Sequence, residues 1–332
     1  MTRTTPVGPA ANPAQDRGTF TRHAAMASVA VAVLLLALKG YASAATGSIA
    51  MLGSLADTAL DLVASLVTLT SVIYAAQPAD REHRFGHGKA EALAALFQVT
   101  LVTLSAIAIG WRAVQRFMTG EVTAEAESGI VVSLIAIVAT FALLAYQRRA
   151  IRRTGSVAIE ADHLHYQSDL LLNGSVIAAL ALDQFAGIGW ADPAFGIAIA
   201  LWLAWGAIRG ASRAFDELMD KEWPREKRER LLALAAKHPQ LRGIHDLRTR
   251  TSGQLDFVQF HVWVDGSMTV RAAHDVMDDI EELLSREFPG VEFLIHPDPE
   301  GLVDEDPLGA EDLTADLPQI VGEKIAGAAP RE

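Results

Sequence analysis

The sequence contains no cysteine. Disulfides and thiolate metal sites are therefore excluded. It also lacks an excess of positive charge: the formal net charge is −12, with the acid concentrated after residue 215, which argues against a nucleic-acid partner. No small-residue cleavage site follows the first apolar run, so that run reads as a retained span and not as a signal peptide. What the chain does have is apolar length. Of its 332 residues 51% are hydrophobic and 20% charged, in long apolar runs separated by polar clusters. This composition is that of an integral membrane protein with soluble appendages.

The runs at about 24–45, 50–75, 90–117, 128–147, 158–182 and 190–212 each approximate the roughly 20 residues needed to cross a bilayer. Residues 1–20 read as a disordered arm and 21–213 as a six-span transmembrane domain. Basic residues set the orientation. Arg3, Arg17 and Arg22 lie in the arm, Arg81, Arg84 and Lys89 between spans 2 and 3, and Arg148, Arg149, Arg152 and Arg153 between spans 4 and 5. The loops between spans 1 and 2 and between spans 5 and 6 have no Lys or Arg, and the loop after span 3 carries Glu121, Glu125 and Glu127. Positive loops face the cytoplasm, which places both termini there. Arg112 and Arg116 near the outer end of span 3 run against this pattern, and Lys39 lies within span 1; both are expected to snorkel.

After span 6 the character changes. Residues 214–223 form a charged linker, and 224–300 read as a small cytoplasmic α/β domain. Helices are expected at about 225–237 and 269–287, with strands at about 243–250, 255–264 and 291–296, an α-β-β-α-β order forming two layers. The acidic stretch 301–332 is expected to be a disordered tail.

Two spans break the hydropathy rule. Asp57 and Asp61 lie in span 2, and His165 and Asp169 in span 5, each pair four residues apart and so on one helical face. Each ionised group at mid-bilayer costs about 2.5–3.5 kcal/mol on insertion scales, so such groups need partners or a function. With antiparallel spans, Asp61 lies roughly 20 Å below the outer surface and Asp169 roughly 16 Å above the inner one. The four side chains can therefore meet near the midplane as a tetrahedral N/O site for a divalent metal. Without a cation, three buried carboxylates would repel one another. Asp80, His83 and His87 form a second cluster between spans 2 and 3, able to share one metal if that segment is helical. In the soluble domain, Val258, Phe260, Val262 and Val264 alternate as a core face and turn His261 to the other side. His245, His274, His296 and Asp298 complete a third candidate set, with His238 outside it.

The motifs DTALD (57–61), HYQSD (165–169) and FGHGKAE (85–91) resemble those of the cation diffusion facilitator family, specifically its bacterial zinc/iron efflux branch of dimeric metal–proton antiporters. The resemblance covers about residues 20–300. It implies a transport site at Asp57, Asp61, His165 and Asp169, a loop site at Asp80, His83 and His87, and a cytoplasmic zinc cluster at a dimer interface from His245, His261, His274, His296 and Asp298. It also implies an ion pair between Lys89 and Asp220, and a bacterial inner-membrane location. The resemblance further implies an amide side chain at position 297, where this sequence has Pro, so one ligand expected from that position is lost or replaced by a carbonyl. Zn²⁺ is the leading substrate, ahead of Cd²⁺, Fe²⁺, Mn²⁺, Co²⁺ and Ni²⁺, since imidazole disfavours Mg²⁺ and Ca²⁺ and the lack of sulfur disfavours Cu(I). Metal and protons compete for the same ligand atoms, so protons are the expected counter-ion. The other readings are an intramembrane aspartyl protease, which lacks a Gly-x-Gly-Asp setting here, and a membrane-anchored metal sensor, which would not need midplane acids.

Overall fold

The computed structural model describes residues 13–46, 49–119, 130–188 and 190–301. The chain forms two compact units, Gln15–Leu218 and the part from Met219 onward.

The first unit holds α1 (Pro13–Thr46), α2 (Ile49–Ala75), α3 (Ala90–Thr119), α4 (Ile130–Thr154), α5 (Val157–Ala186) and α6 (Ala191–Leu218). All six contain a stretch long and apolar enough to cross a membrane. In hydrocarbon, helices gain little from burying large apolar side chains, so association relies on close backbone approach between small residues. The α3–α6 pair follows that rule: Ala92, Ala95, Ala106, Ala207 and Ala214 are buried between helices. Leu104, Ile107, Trp111, Leu201 and Ile208 point outward. Gly196 on α6 is the tightest point of this pair, where a Cβ would stand 2.8 Å from the Cβ of Ala113. Neither atom can rotate away, so Gly196→Val is expected to destabilise the protein by about 1–3 kcal/mol through forced separation of the helices. Thermal unfolding in detergent measures this.

Several helix ends differ from the expectation. α1 begins at Pro13, inside the stretch expected to be a disordered arm; Pro suits a first helical turn, and Phe20 lies under the guanidinium of Arg153, 4.7 Å away. Residues 1–12 of that arm, the acidic loop with Glu121, Glu125 and Glu127, and the tail 302–332 lie outside the described residues. Arg148, Arg149, Arg152 and Arg153 are not in a loop: α4 carries them to Thr154, because Arg is a good helix former. The helix stops at Gly155, whose φ of 68° suits a residue without a Cβ. Arg116 pairs at 2.9 Å with Asp192 at the start of α6. Lys39 Nζ donates to Thr58 Oγ1 on α2 at 2.7 Å.

In the second unit, α7 (Arg225–Ala235) and α8 (Val270–Glu287) pack with a sheet of β1 (Gly243–Ser252), β2 (Leu255–Val264) and β3 (Val291–Pro299). The strand order is β1-β2-β3, antiparallel between β1 and β2 and parallel between β2 and β3. Val258, Phe260, Val262 and Val264 form the core with Leu231, Leu232, Val276, Ile280 and Leu284. Trp223, at the end of the stretch expected to be linker, is part of this core, while the other end of that stretch continues α6 to Leu218. Pro297 lies on the edge strand β3, where a residue without an N–H is tolerated.

Candidate metal centres

The first centre joins α2 and α5. Asp61, His165 and Asp169 each offer a ligand atom, all within 4.8 Å of one another. His165 Nε2 lies 3.0 Å from Asp61 Oδ1 and 3.9 Å from Asp169 Oδ2. His165 is buried, whereas the two carboxylates are half-buried. Spacing of four on α5 stacks His165 over Asp169, and the antiparallel α2 supplies Asp61 from the other side. Asp57, expected in the same set, is exposed one turn before Asp61 and is not among the converging groups. His163 turns away, and its Nδ1 meets Gln147 Oε1 at 3.1 Å.

The second centre is in the loop between α2 and α3. Asp80, His83 and His87 converge within 4.8 Å, but on a non-helical segment, contrary to the helical arrangement expected. The Asp80 side chain organises the loop by accepting the backbone N–H groups of Glu82 (2.8 Å) and His83 (2.6 Å). His87 Nε2 lies 3.3 Å from the other carboxylate oxygen, and His83 Nδ1 lies 3.5 Å from Oδ1. The His83 amide holds the Asp80 carboxyl below its usual value of 3.8. The turn is thus stabilised at pH above about 3.8 and loosens as pH falls through the lowered value of the folded state. Asp80→Asn keeps an acceptor for both amides while losing the charge. It is expected to leave the loop ordered and to weaken metal binding there by roughly 10–100-fold, whereas Asp80→Ala also loses loop order. Metal titration of both variants, with amide exchange of the loop, separates the two roles.

The third centre lies on the sheet face away from α7 and α8. Register alone places His245 opposite His261 and His261 opposite His296, a row of three imidazoles across three strands. An irregularity in β1 between His245 and Arg248, with Asp246 at φ 48°, brings Asp246 Oδ2 to 3.7 Å from His261 Nε2. The buried Asp298 sits beneath the row. Its Oδ2 is 2.9 Å from His261 Nδ1 and 3.1 Å from His245 Nε2, and its Oδ1 is 3.3 Å from His296 Nε2. His245, His261 and Asp298 offer ligand atoms that all lie within 4.8 Å of one another, and neither nitrogen of His245 makes a hydrogen bond, whereas His296, expected in the same set, is exposed at the end of the row and is not among these converging groups. Such a donor set of imidazole and carboxylate fits a divalent transition metal. His274, expected in this set, projects from α8 and pairs with Asp278 one turn on at 3.2 Å. His238 meets Asp279 at 3.8 Å. Lys89 donates to the Leu218 carbonyl at 3.1 Å within the first unit, and Asp220 lies 3.8 Å from Arg250 within the second.

One polar set was not anticipated from the sequence. Asp162, one turn before His165 on α5, is fully buried with Ser28, Gln98 and Gln147 as hydrogen-bond partners. The signal was the stripe 162–165–169 at helical spacing, continuing the metal-ligand face.

Comparison with known proteins adds an independent line. The family description "Cation efflux transmembrane domain" matches residues 25–219, and "Cation efflux protein, cytoplasmic domain" matches 223–300. A "Cation-efflux pump FieF" of Klebsiella pneumoniae is 40% identical over 291 residues, covering 87% of this chain and 96% of that protein. Its counterpart in Pectobacterium atrosepticum is 41% identical over 286 residues, covering 86% and 95%. A solved structure described as the zinc form of a putative zinc transporter CzrB is 36% identical, covers 26% of this chain and 99% of that chain, and has a TM-score of 0.24. With its six apolar helices, its three-stranded C-terminal domain and these matches, the chain belongs to the cation efflux family and is a multi-pass membrane transporter, not an enzyme.

Proposed function

We propose that the protein exports divalent transition-metal ions, Zn²⁺ foremost, from the cytoplasm in exchange for protons by alternating access. The observation that carries this reading is the convergence of Asp61, His165 and Asp169 from two membrane-spanning helices. Asp57, one turn from Asp61 on the same stripe of α2, serves as the fourth ligand in this reading. Metal binding requires unprotonated carboxylates and a neutral imidazole, so a proton delivered from outside and a metal ion arriving from inside contend for the same lone pairs. An inward proton gradient then drives metal outward. His with carboxylates and no sulfur favours Zn²⁺ over Cu(I), Mg²⁺ and Ca²⁺, with Cd²⁺, Fe²⁺, Mn²⁺, Co²⁺ and Ni²⁺ as further substrates.

The protein acts as a homodimer in a bacterial inner membrane with both termini cytoplasmic. The soluble cluster of His245, His261, His296 and Asp298 binds cytoplasmic metal and favours the active arrangement to the extent that it binds that arrangement more tightly. The test is flux: vesicles containing the purified protein, loaded with a Zn²⁺-sensitive dye, should take up Zn²⁺ when their lumen is acidic relative to the outside. Absence of uptake, or uptake indifferent to the pH gradient, would overturn proton-coupled transport. Repeating the assay across the named metals ranks the substrates.

A further inference from the structure

Asp162 is a buried carboxylate that the transport reading leaves without a role. Its partners come from three other helices and are all neutral. On α1, the Ser28 hydroxyl donates to Oδ2 at 2.6 Å; on α4, Gln147 Nε2 donates to Oδ2 at 2.8 Å; on α3, Gln98 Nε2 donates to Oδ1 at 3.3 Å. Gln147 is fixed in orientation because its Oε1 faces His163 Nδ1 while its Nε2 also reaches Ser28 Oγ at 3.0 Å. All of these side chains but His163 are fully buried.

The arrangement accommodates two protonation states with one small motion. When Asp162 is ionised, Ser28 donates to it. When Asp162 carries a proton on Oδ2, it donates to Ser28 Oγ, and the Ser28 hydroxyl turns to the Ala24 carbonyl, 3.2 Å away. In both states Asp162 Oδ2 and Ser28 Oγ keep their hydrogen-bond partners, while Gln98 Oε1 stays buried without one; a retained partner for the proton-bearing atoms is the requirement for holding and releasing a proton in a low-dielectric interior.

The network also reaches the metal centre. Tyr166 OH donates to the Ser28 carbonyl at 3.2 Å and meets Ser65 Oγ at 2.9 Å, one turn from Asp61 on α2. Its ring packs edge-on against His165. Along α5, Asp162 lies about 4.5 Å of helix rise from His165 and about 10.5 Å from Asp169 on the same face. The ionisable groups around it are His163, His165, Tyr166 and Asp169 on its own helix, Asp61 on α2 and Arg148 on α4. On α3, Glu91 lies two turns from Gln98 and is engaged with Ser156, and α6, packed on the far side of α5, places Arg213 on Glu160. The α1 residue at this point, Ser28, is neutral.

We propose that Asp162 is a proton-holding group of the exchange cycle, separate from the metal ligands: it carries a proton in the metal-free protein and releases it when a divalent cation binds. The O–H bond of Asp162 breaks, its electron pair stays on the carboxylate, and the proton passes to water on the side to which the site is open. A doubly charged ion arriving on the same helix stripe provides the drive, since Coulomb interaction in a poorly screened interior falls only as the inverse of distance. This inference rests on the reading of Asp61, His165 and Asp169 as the transport site.

The test counts protons. Zn²⁺ is added to full-length protein in lipid nanodiscs in weak buffer with a pH indicator, from about pH 5 to pH 8, alongside Zn²⁺ affinity by calorimetry. Asp162→Asn, which mimics the protonated acid, is expected to bind Zn²⁺ but to release about one proton fewer per ion than wild type at the pH where wild type releases most. Ser28→Ala, which removes the acceptor for the acid proton, is expected to shift the midpoint of the release profile, and it decides the matter if Asp162→Asn does not fold. Wild-type proton counts and profiles in folded variants would overturn the proposal, as would a change in affinity with unchanged counts, which is what a purely positioning role predicts. If wild type itself releases no protons, the failure lies with proton-coupled transport.

Discussion

Asp61→Asn is expected to cut Zn²⁺ flux by at least about 100-fold, since even outer partners of metal ligands cost 10–100-fold when removed and Asp61 is proposed as a direct ligand. The substitution conserves volume, so packing of α2 is retained. What changes is the donor set. An amide replaces one of two carboxylates that converge with His165 Nε2, and Asp61 Oδ1 is the nearer of them at 3.0 Å. The amide presents a neutral oxygen to the cation and an N–H₂ group that repels it. Dye-loaded vesicles under a pH gradient give the rate, and thermal unfolding in detergent checks that the variant folds. Wild-type flux from a folded Asp61→Asn protein would remove the carboxylate from the transport site.

In the soluble unit, Asp298→Asn is expected to lower metal affinity by about 100-fold without altering the membrane site. Asp298 is the hub of the cluster: one oxygen lies within reach of both His245 and His261 and the other of His296, so loss of its charge affects every imidazole at once. His274→Ala, by contrast, removes a side chain that pairs with Asp278 on its own helix and is not among the converging groups of the cluster. Its effect on the metal affinity of a separated protomer is expected to be small. Counting Zn²⁺ per chain by equilibrium dialysis, in Asp298→Asn and Asp61→Asn singly and together, assigns each loss to its site. Equal stoichiometry in wild type and Asp298→Asn would exclude the cluster.

The spans were legible because apolar runs of bilayer length leave little choice of structure, and Asp61, His165 and Asp169 because an ionisable side chain in such a run needs a reason to be there. The limits of the helices were less legible. Arg148 to Arg153 look like a loop by charge, yet they continue α4, since a helix can carry charge at its solvated end and only Gly155 interrupts it. Asp162 was missed because its partners, Ser28, Gln98 and Gln147, are neutral residues scattered over three apolar runs, and their meeting depends on helix rotation that hydropathy does not encode. Lys39 and Arg116 found partners on neighbouring helices for the same reason. In the soluble unit, strand alternation placed His261 away from the core, but which of the remaining histidines would join it depended on register and on the irregularity at Asp246.

The strand order of that unit also divides the cluster between contacts of short and of long loop closure. β1 and β2 form a hairpin across a turn at Gly253 and Gln254, so His245 and His261 are joined through a short loop, the kind of contact that closes fast. Asp298 and His296 lie on β3, which is joined to β2 through the α8 crossover and pairs with it in parallel, a contact of long loop closure and so of the kind that forms slowly. The hairpin alone offers a metal two imidazoles and no buried carboxylate. Tight binding therefore waits for the last strand, and because a ligand stabilises only the state that binds it, metal selects the completed domain over its partly folded precursors.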